Sequence, residues 1–265
     1  MKIQTTTLPE QMMRKINNDD PSIPLWLITK RIKKEGPYFH SICLLVNNKK
    51  IWKNVRTFHK AWRNLVPEID SYNDCLQKRE RLHFTMLLIP TDTIEKLNLA
   101  IKVMKQWRTK ILEALKYKRY KFHLSRVNAF KDESRVMWED KNTSVLSTTF
   151  GDIKDHEMFQ KILHIITSKF IKSRLLKKRH LGDSHVFYNE KLKKYRIRSP
   201  HMTLANTNSV LEDRKLYFDS TEVLEEYSEM DFGSFYLDNI AMVESDDTDL
   251  PKESVFDLEV SLTSG

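Results

Sequence analysis

The stretch Pro200-His201-Met202-Thr203-Leu204-Ala205 decides how this chain is read. A near-copy lies upstream, Leu82-His83-Phe84-Thr85-Met86-Leu87-Leu88. Both read as His-x-Thr at the head of an apolar strand. Side chains two apart on a strand share a face. His83 and Thr85 therefore stand together, with Phe84 and Met86 pointing the other way; His201 and Thr203 do the same, with Met202 and Leu204 opposite. With 9 His and 18 Thr in 265 residues, composition alone gives roughly 0.6 such triplets. One copy would carry no information. Two copies, each with apolar residues at x and after the Thr, do.

Two His–Thr pairs facing one cleft make a phosphate site that runs acid–base chemistry. One imidazole takes a proton from the attacking oxygen and the other gives one to the leaving oxygen. The hydroxyls donate to the non-bridging phosphate oxygens. The scheme calls on no metal and no cofactor. It requires imidazole nitrogens on the order of 5–8 Å apart, one phosphate plus hydrogen bonds near 3 Å on each side. A third triplet, His123-Leu124-Ser125, is set aside because Lys121 and Arg126 flank it instead of an apolar run.

Length and composition fit one large domain or two small ones, with 40% apolar residues for a core. Only two cysteines, Cys43 and Cys75, are present. That implies no disulfide framework or zinc cluster and suits a reducing compartment. Met1 to Glu10 has no apolar signal-like core, and no run reaches about 18 apolar residues, so no secretory leader and no membrane span are expected. The net charge of +9 is unevenly spread: residues 105–200 carry 24 Lys and Arg against 10 Asp and Glu, residues 201–265 carry 3 against 16. Aromatics lie among the cations in Lys116 to Lys121 and Lys191 to Arg198, a pattern suited to a nucleic-acid strand.

Along the chain, residues 1–35 read as a polar extension and 36–265 as the folded domain. The extension ends in Lys30-Arg31-Ile32-Lys33-Lys34, a nuclear-import candidate or a charged lead-in. The pattern then predicts a strand at 38–46, a helix at 50–66, the first motif strand at 82–89 and a helix from 90 to about 116. A hairpin of 120–130 with 135–139 and a helix from about 155 to 176 come next. A basic, poorly periodic loop, 177–198, leads to the second motif strand at 199. A helix at 209–217, with the acidic 221–230 as its candidate continuation, then strands at 232–243 and 254–262, close the chain. The halves rhyme, each with one motif strand, which predicts two similar α+β lobes with a cleft between them.

This arrangement resembles the two-histidine (2H) phosphoesterase superfamily, and within it the RNA-ligase-like central domain of the gamma and delta A-kinase anchoring proteins. Arg31 to Ile42, Leu82 to Pro90 and Ser199 to Ala205 carry the likeness, with Phe232 to Asp238 fitting the late strand, over roughly residues 31–262. The resemblance implies a bilobal, pseudo-symmetric α+β fold, two antiparallel-sheet lobes flanked by helices around a central cleft. It implies a metal-independent phosphodiesterase acting on 2′–5′ linked or 2′,3′-cyclic phosphates of RNA or oligonucleotides. His83 and His201 are then catalytic, Thr85 and Thr203 hold the phosphate, and His123 lies outside the cleft. From the residues themselves, Tyr195, Arg196 and Arg198 are candidate substrate contacts, in a segment before the second motif that would act as a rail for an RNA strand. A nucleotide- or RNA-end-binding module without turnover is the alternative. The expected protein is a cytoplasmic or nuclear monomer, off the membrane. No amphipathic kinase-docking helix is read after the domain.

Overall fold

A computed structural model describes residues 39–66, 75–131, 143–181, 185–207, 217–244 and 254–260. The elements in chain order are β1 (Phe39–Leu45), α1 (Lys49–Leu65), β2 (His83–Pro90), α2 (Ile94–Ala114), β3 (Lys121–Lys131), β4 (Thr143–Phe150) and α3 (Ile153–Lys172). Then follow β5 (Val186–Asn189), β6 (Lys194–Ile197), β7 (Met202–Asn206), α4 (Thr221–Tyr227), β8 (Asp231–Tyr236), β9 (Asn239–Glu244) and β10 (Ser254–Glu259). The 1–35 extension, the proposed strand at 135–139 and most of the proposed helix at 209–217 lie outside the described residues.

Helix starts follow side-chain chemistry. Asn48 caps α1 by accepting from Lys50 N and Ile51 N, Thr93 caps α2 through Lys96 N, and Asp152 caps α3 through Asp155 N. Their apolar stripes go inward: Ile51, Val55, Phe58 and Trp62 on α1; Phe159, Ile162, Leu163, Ile166 and Phe170 on α3. Trp107 of α2 meets Phe170 of α3 edge-on at 4.4 Å between ring centres.

Eight strands form one antiparallel sheet in the order β10-β9-β1-β2-β7-β4-β3-β8. The order is symmetric about the junction of the two motif strands: β1 matches β4, β9 matches β3, and β10 matches β8. The two sides of the sheet are not simply the two halves of the sequence, however. β3, β4, β7 and β8 form one side of the sheet, and the last strands, β9 and β10, return to complete the side begun by β1 and β2. The C-terminal pair of strands thus completes the N-terminal side of the sheet.

The structure refines three sequence expectations. The expected partner of β3, 135–139, lies outside the described residues, and β3 pairs with β4. The β4 sequence, Thr-Ser-Val-Leu-Ser-Thr-Thr-Phe, lacks the apolar alternation that marks a strand, because its hydroxyls go to sheet faces and carbonyls. The segment 177–198 is not an open loop: β5 and β6 form a separate hairpin packed on α3. Asn189 closes its turn by accepting from Leu192 N at 2.9 Å. The expected strand 232–243 is two strands, β8 and β9, divided at Leu237 and Asp238.

The core is an aromatic stack beneath the junction. Phe84 lies parallel to Phe150 at 4.5 Å, and Phe159, Phe122 and Phe235 continue the cluster at 5 to 6 Å. It ties β2 to β4, β3, β8 and α3. Phe84→Ala should therefore cost about 3–5 kcal/mol, the usual range for emptying a buried Phe site. Denaturant melts would show this as a large fall in midpoint.

His59 of α1 is buried, and its Nε2–H donates to Leu204 O at 2.9 Å. Burial pushes its pKa down from 6.5 to about 4. The unfolded chain then binds the proton first as pH falls. Stability is retained above pH 6.5 and lost between 6.5 and 4, by roughly 3 kcal/mol at the limit. Melting temperatures measured across that window should fall, and His59→Gln should flatten the slope even though it lowers the plateau.

Candidate active site

The two motif strands meet through one register pair, Phe84 opposite Met202. Continuing that antiparallel register by one residue sets His83 across from Thr203 and Thr85 across from His201. All four side chains are on one face, since Phe84 and Met202, both fully buried, occupy the other. His83 and His201 are diagonal neighbours on this lattice, on the order of 7 Å apart at Cβ. The face thus carries a square of two imidazoles and two hydroxyls.

Each motif strand also bulges at the same place. Ile42 pairs Leu87 while Cys43 pairs Thr85, so Met86 is the extra residue. Leu146 pairs Ala205 while Ser147 pairs Thr203, so Leu204 is the extra residue. A bulge bends the strand and re-aims the flanking side chains. Directly after each Thr, it lets the His–Thr pair face the cleft while the next residues return to the core. The carbonyl of Leu204, displaced from the ladder, accepts from Gln77 N at 3.0 Å and from His59.

The imidazoles are held alike. His83 Nδ1 lies 2.6 Å from Arg81 O, and His201 Nδ1 lies 2.9 Å from Ser199 O. A carbonyl only accepts, so Nδ1 carries a proton in both rings and Nε2 is the working nitrogen. His83 Nε2 is 3.1 Å from Thr85 Oγ1. The His201 ring leans on Phe130, 4.6 Å between centres. Burial is the main cause that moves the His201 pKa below 6.5, the Ser199 carbonyl opposes the shift, and the nearby charge of His185 adds to it.

Around the square, β4 supplies groups that sequence reading missed. Ser147 pairs directly with Thr203 and shares its face; its hydroxyl is buried with no hydrogen-bond partner among the described residues. Thr149 donates to Pro200 O at 2.8 Å beside His201. Thr149 also lines a groove of about 780 Å³, together with Arg126, Gly151, Lys154 and His156 among others. His185, at the base of the β5–β6 hairpin, was missed too; nothing in its sequence neighbourhood signals an approach to His201.

The remaining sequence candidates are placed as follows. Tyr195 is buried against His164 and Tyr188. Arg196 forms a two-point pair with Glu157 of α3, at 2.6 and 3.2 Å. Both fasten the hairpin to α3. Alternation sends Tyr195 and Ile197 inward and leaves Arg198 exposed, its guanidinium 6.0 Å from the Phe187 ring centre. His123 lies on β3 with Ser125, on the same sheet face as His201 but two strands away. Its Nδ1 is 3.2 Å from Ser234 Oγ, and its Nε2 is 3.6 Å from the Asp231 carboxylate. Among the described residues no three His, Cys, Asp or Glu side chains gather as a metal-ligand set, and no helix is long and apolar enough to cross a membrane.

The family to which this geometry belongs is fixed by comparison with known proteins. The family model described as the AKAP7 2′5′ RNA ligase-like domain matches residues 38–254. The chain belongs to this family. No curated protein sequence matches it. Among solved structures, Escherichia coli LigT complexed with 3′-AMP is similar at 10% identity and a TM-score of 0.49, over 85% of this chain and 98% of that one. The TT0787 protein of Thermus thermophilus is similar at 12% identity and a TM-score of 0.47, over the same shares.

The packing of His201 has a measurable consequence. In an NMR titration its imidazole should titrate below pH 6.5, and Phe130→Ala, which rehydrates the ring, should move that midpoint upward. An unchanged midpoint in the variant would assign the shift to other groups.

Proposed function

We propose that the chain is a metal-independent phosphodiesterase acting on 2′–5′ linked or 2′,3′-cyclic phosphates of RNA or oligonucleotides. The observation that carries this reading is the square of His83, Thr85, His201 and Thr203 on one sheet face, with both Nδ1 atoms tied to backbone carbonyls. Two Nε2 atoms at opposite corners suit an in-line displacement at a phosphorus between them. His201, whose neutral form is favoured by burial, suits the base. Its Nε2 takes the proton from the attacking water or ribose hydroxyl as the new P–O bond forms. His83 then acts as the acid, delivering the Nε2 proton to the oxygen that departs with its electron pair. Thr85 and Thr203 donate to the non-bridging oxygens, where charge builds in the transition state.

Incubation with EDTA and a panel of 2′–5′, 3′–5′ and 2′,3′-cyclic substrates tests the reaction class. His83→Ala and His201→Ala should each lower kcat by roughly 10²–10⁴-fold. The double variant should be little worse, because groups acting as a unit are not additive. Thr85→Ala and Thr203→Ala should cost less. Wild-type turnover in both His→Ala proteins would sink the assignment. Tight nucleotide binding with no turnover in the wild type would mark a binding module instead.

A further inference from the structure

A second feature lies behind the motif strands. α1 reads Lys-Lys-Ile-Trp-Lys-Asn-Val-Arg-Thr-Phe-His-Lys-Ala-Trp-Arg-Asn-Leu, with six cations and no acidic residue in 17 positions. Ile51, Val55, Phe58 and Trp62 take its buried face. Lys49, Lys53, Arg56, Lys60 and Arg63 recur every three or four residues, so they form one stripe along the exposed face. At 1.5 Å per residue that stripe is about 21 Å long. A solvated helix face ordinarily mixes signs, because like charges at this spacing repel. A uniformly basic one is maintained against that repulsion.

The stripe is not flat surface. Between α1 and the segment 76–80 runs a groove of about 590 Å³, lined by Trp52, Arg56, Lys60, Arg63, Lys78 and Arg79, with Glu80 its one carboxylate among the described residues and His59 on its inner wall. Trp52 is half-buried, its indole set edge-on to His59 at 6.1 Å. Cations along a groove with an aromatic plane in it are what a single nucleic-acid strand requires: the charges track phosphates and the ring stacks a base. An acidic peptide would use the charges but not the ring. A rigid duplex would not fit its bases against a recessed indole.

The groove is also joined to both motif strands. Its wall, Lys78 to Glu80, runs directly into Arg81, whose carbonyl holds the His83 imidazole. Its inner wall, His59, bonds the carbonyl of Leu204, the residue after Thr203. Gln77 N bonds the same carbonyl.

We propose that the groove between α1 and residues 76–80 binds single-stranded RNA, with Arg56, Lys60 and Lys78 on backbone phosphates and Trp52 under a base. At about 3.4 Å per nucleotide of a stacked strand, the stripe reaches about six nucleotides. The proposal deepens the phosphodiesterase reading, since it makes the substrate an oligonucleotide held beyond the scissile bond. It stands apart from the β5–β6 hairpin, whose Arg196 is already engaged by Glu157.

The test uses the full chain carrying His83→Ala and His201→Ala, so that RNA is not consumed, and a fluorescein-labelled 12-nucleotide single-stranded RNA. Adding Arg56→Ser, Lys60→Ser and Lys78→Ser should weaken binding on the order of tenfold or more at low salt. It should also lower the slope of log affinity against log salt by about 2, since each phosphate no longer neutralised removes about 0.7. Trp52→Leu should weaken binding without changing the salt slope. A control triple elsewhere on the surface, Lys102→Ser, Lys118→Ser and Lys121→Ser, should change binding little, and all variants should keep the parent melting temperature. Equal losses in the two triples would show diffuse attraction and overturn the groove. Unchanged binding in the groove triple would do the same. So would equal dependence on these residues for duplex RNA or for phosphatidylserine vesicles, which would assign another occupant. If the substrate panel proves inert, the catalytic reading falls while this titration still decides the groove.

Discussion

The contact between Phe84 and Met202 is the constraint on which the rest depends. It is one residue pair, yet it joins two four-stranded halves into a single sheet. On one side it fixes which imidazole faces which hydroxyl. On the other it sets Phe84 against Phe150 and Phe159. The aromatic stack supplies the dispersion and burial that hold the junction, where backbone pairing alone is short. Because side-chain period on a strand is two, a slip of one residue would bury the histidines and expose the phenylalanine. Core packing and site geometry are therefore one requirement.

Orientation of the imidazoles is a second, local matter. A histidine on an exposed strand face has free rotamers and two tautomers. Here each ring is tied by Nδ1 to the carbonyl two residues before it, so each strand's own lead-in sets its ring. The bulge after each Thr completes the device by turning the chain back toward the core. The symmetry is broken by surroundings: His201 has Phe130 and His185 beside it, and burial favours its neutral form. Near-identical motifs thus stand in different surroundings.

The charge distribution has a similar two-level logic. Cations dominate the middle of the chain, but several are consumed by structure. Arg196 is held by Glu157, and Arg119 forms a two-point pair with Asp238 from the acidic C-terminal part. Exposed pairs of this kind add little stability, but they remove those cations from the pool that could meet a polyanion. The α1 stripe, outside the most basic stretch of sequence, meets no acidic residue on its own helix. Local composition and available charge are different quantities.

What the sequence determined by itself was what repeats or alternates. The paired His-x-Thr triplets, their shared face, the amphipathic helices and the α+β class all follow from spacing, because 3.6- and 2-residue periods are local properties. β4 escaped notice because Thr143 to Phe150 hides its strand character in hydroxyls, and with it went Ser147 and Thr149. The hairpin at 186–197 was read as a loop because its inward side chains, Tyr195 and Ile197, are separated by cations that only α3 neutralises or exposes. Only the tertiary structure decided which His faces which Thr, that the C-terminal β9 and β10 return beside β1, and that Arg196 pairs with Glu157 while His185 approaches the site. Each of these rests on contacts between residues distant in the chain, and no local period encodes such a contact.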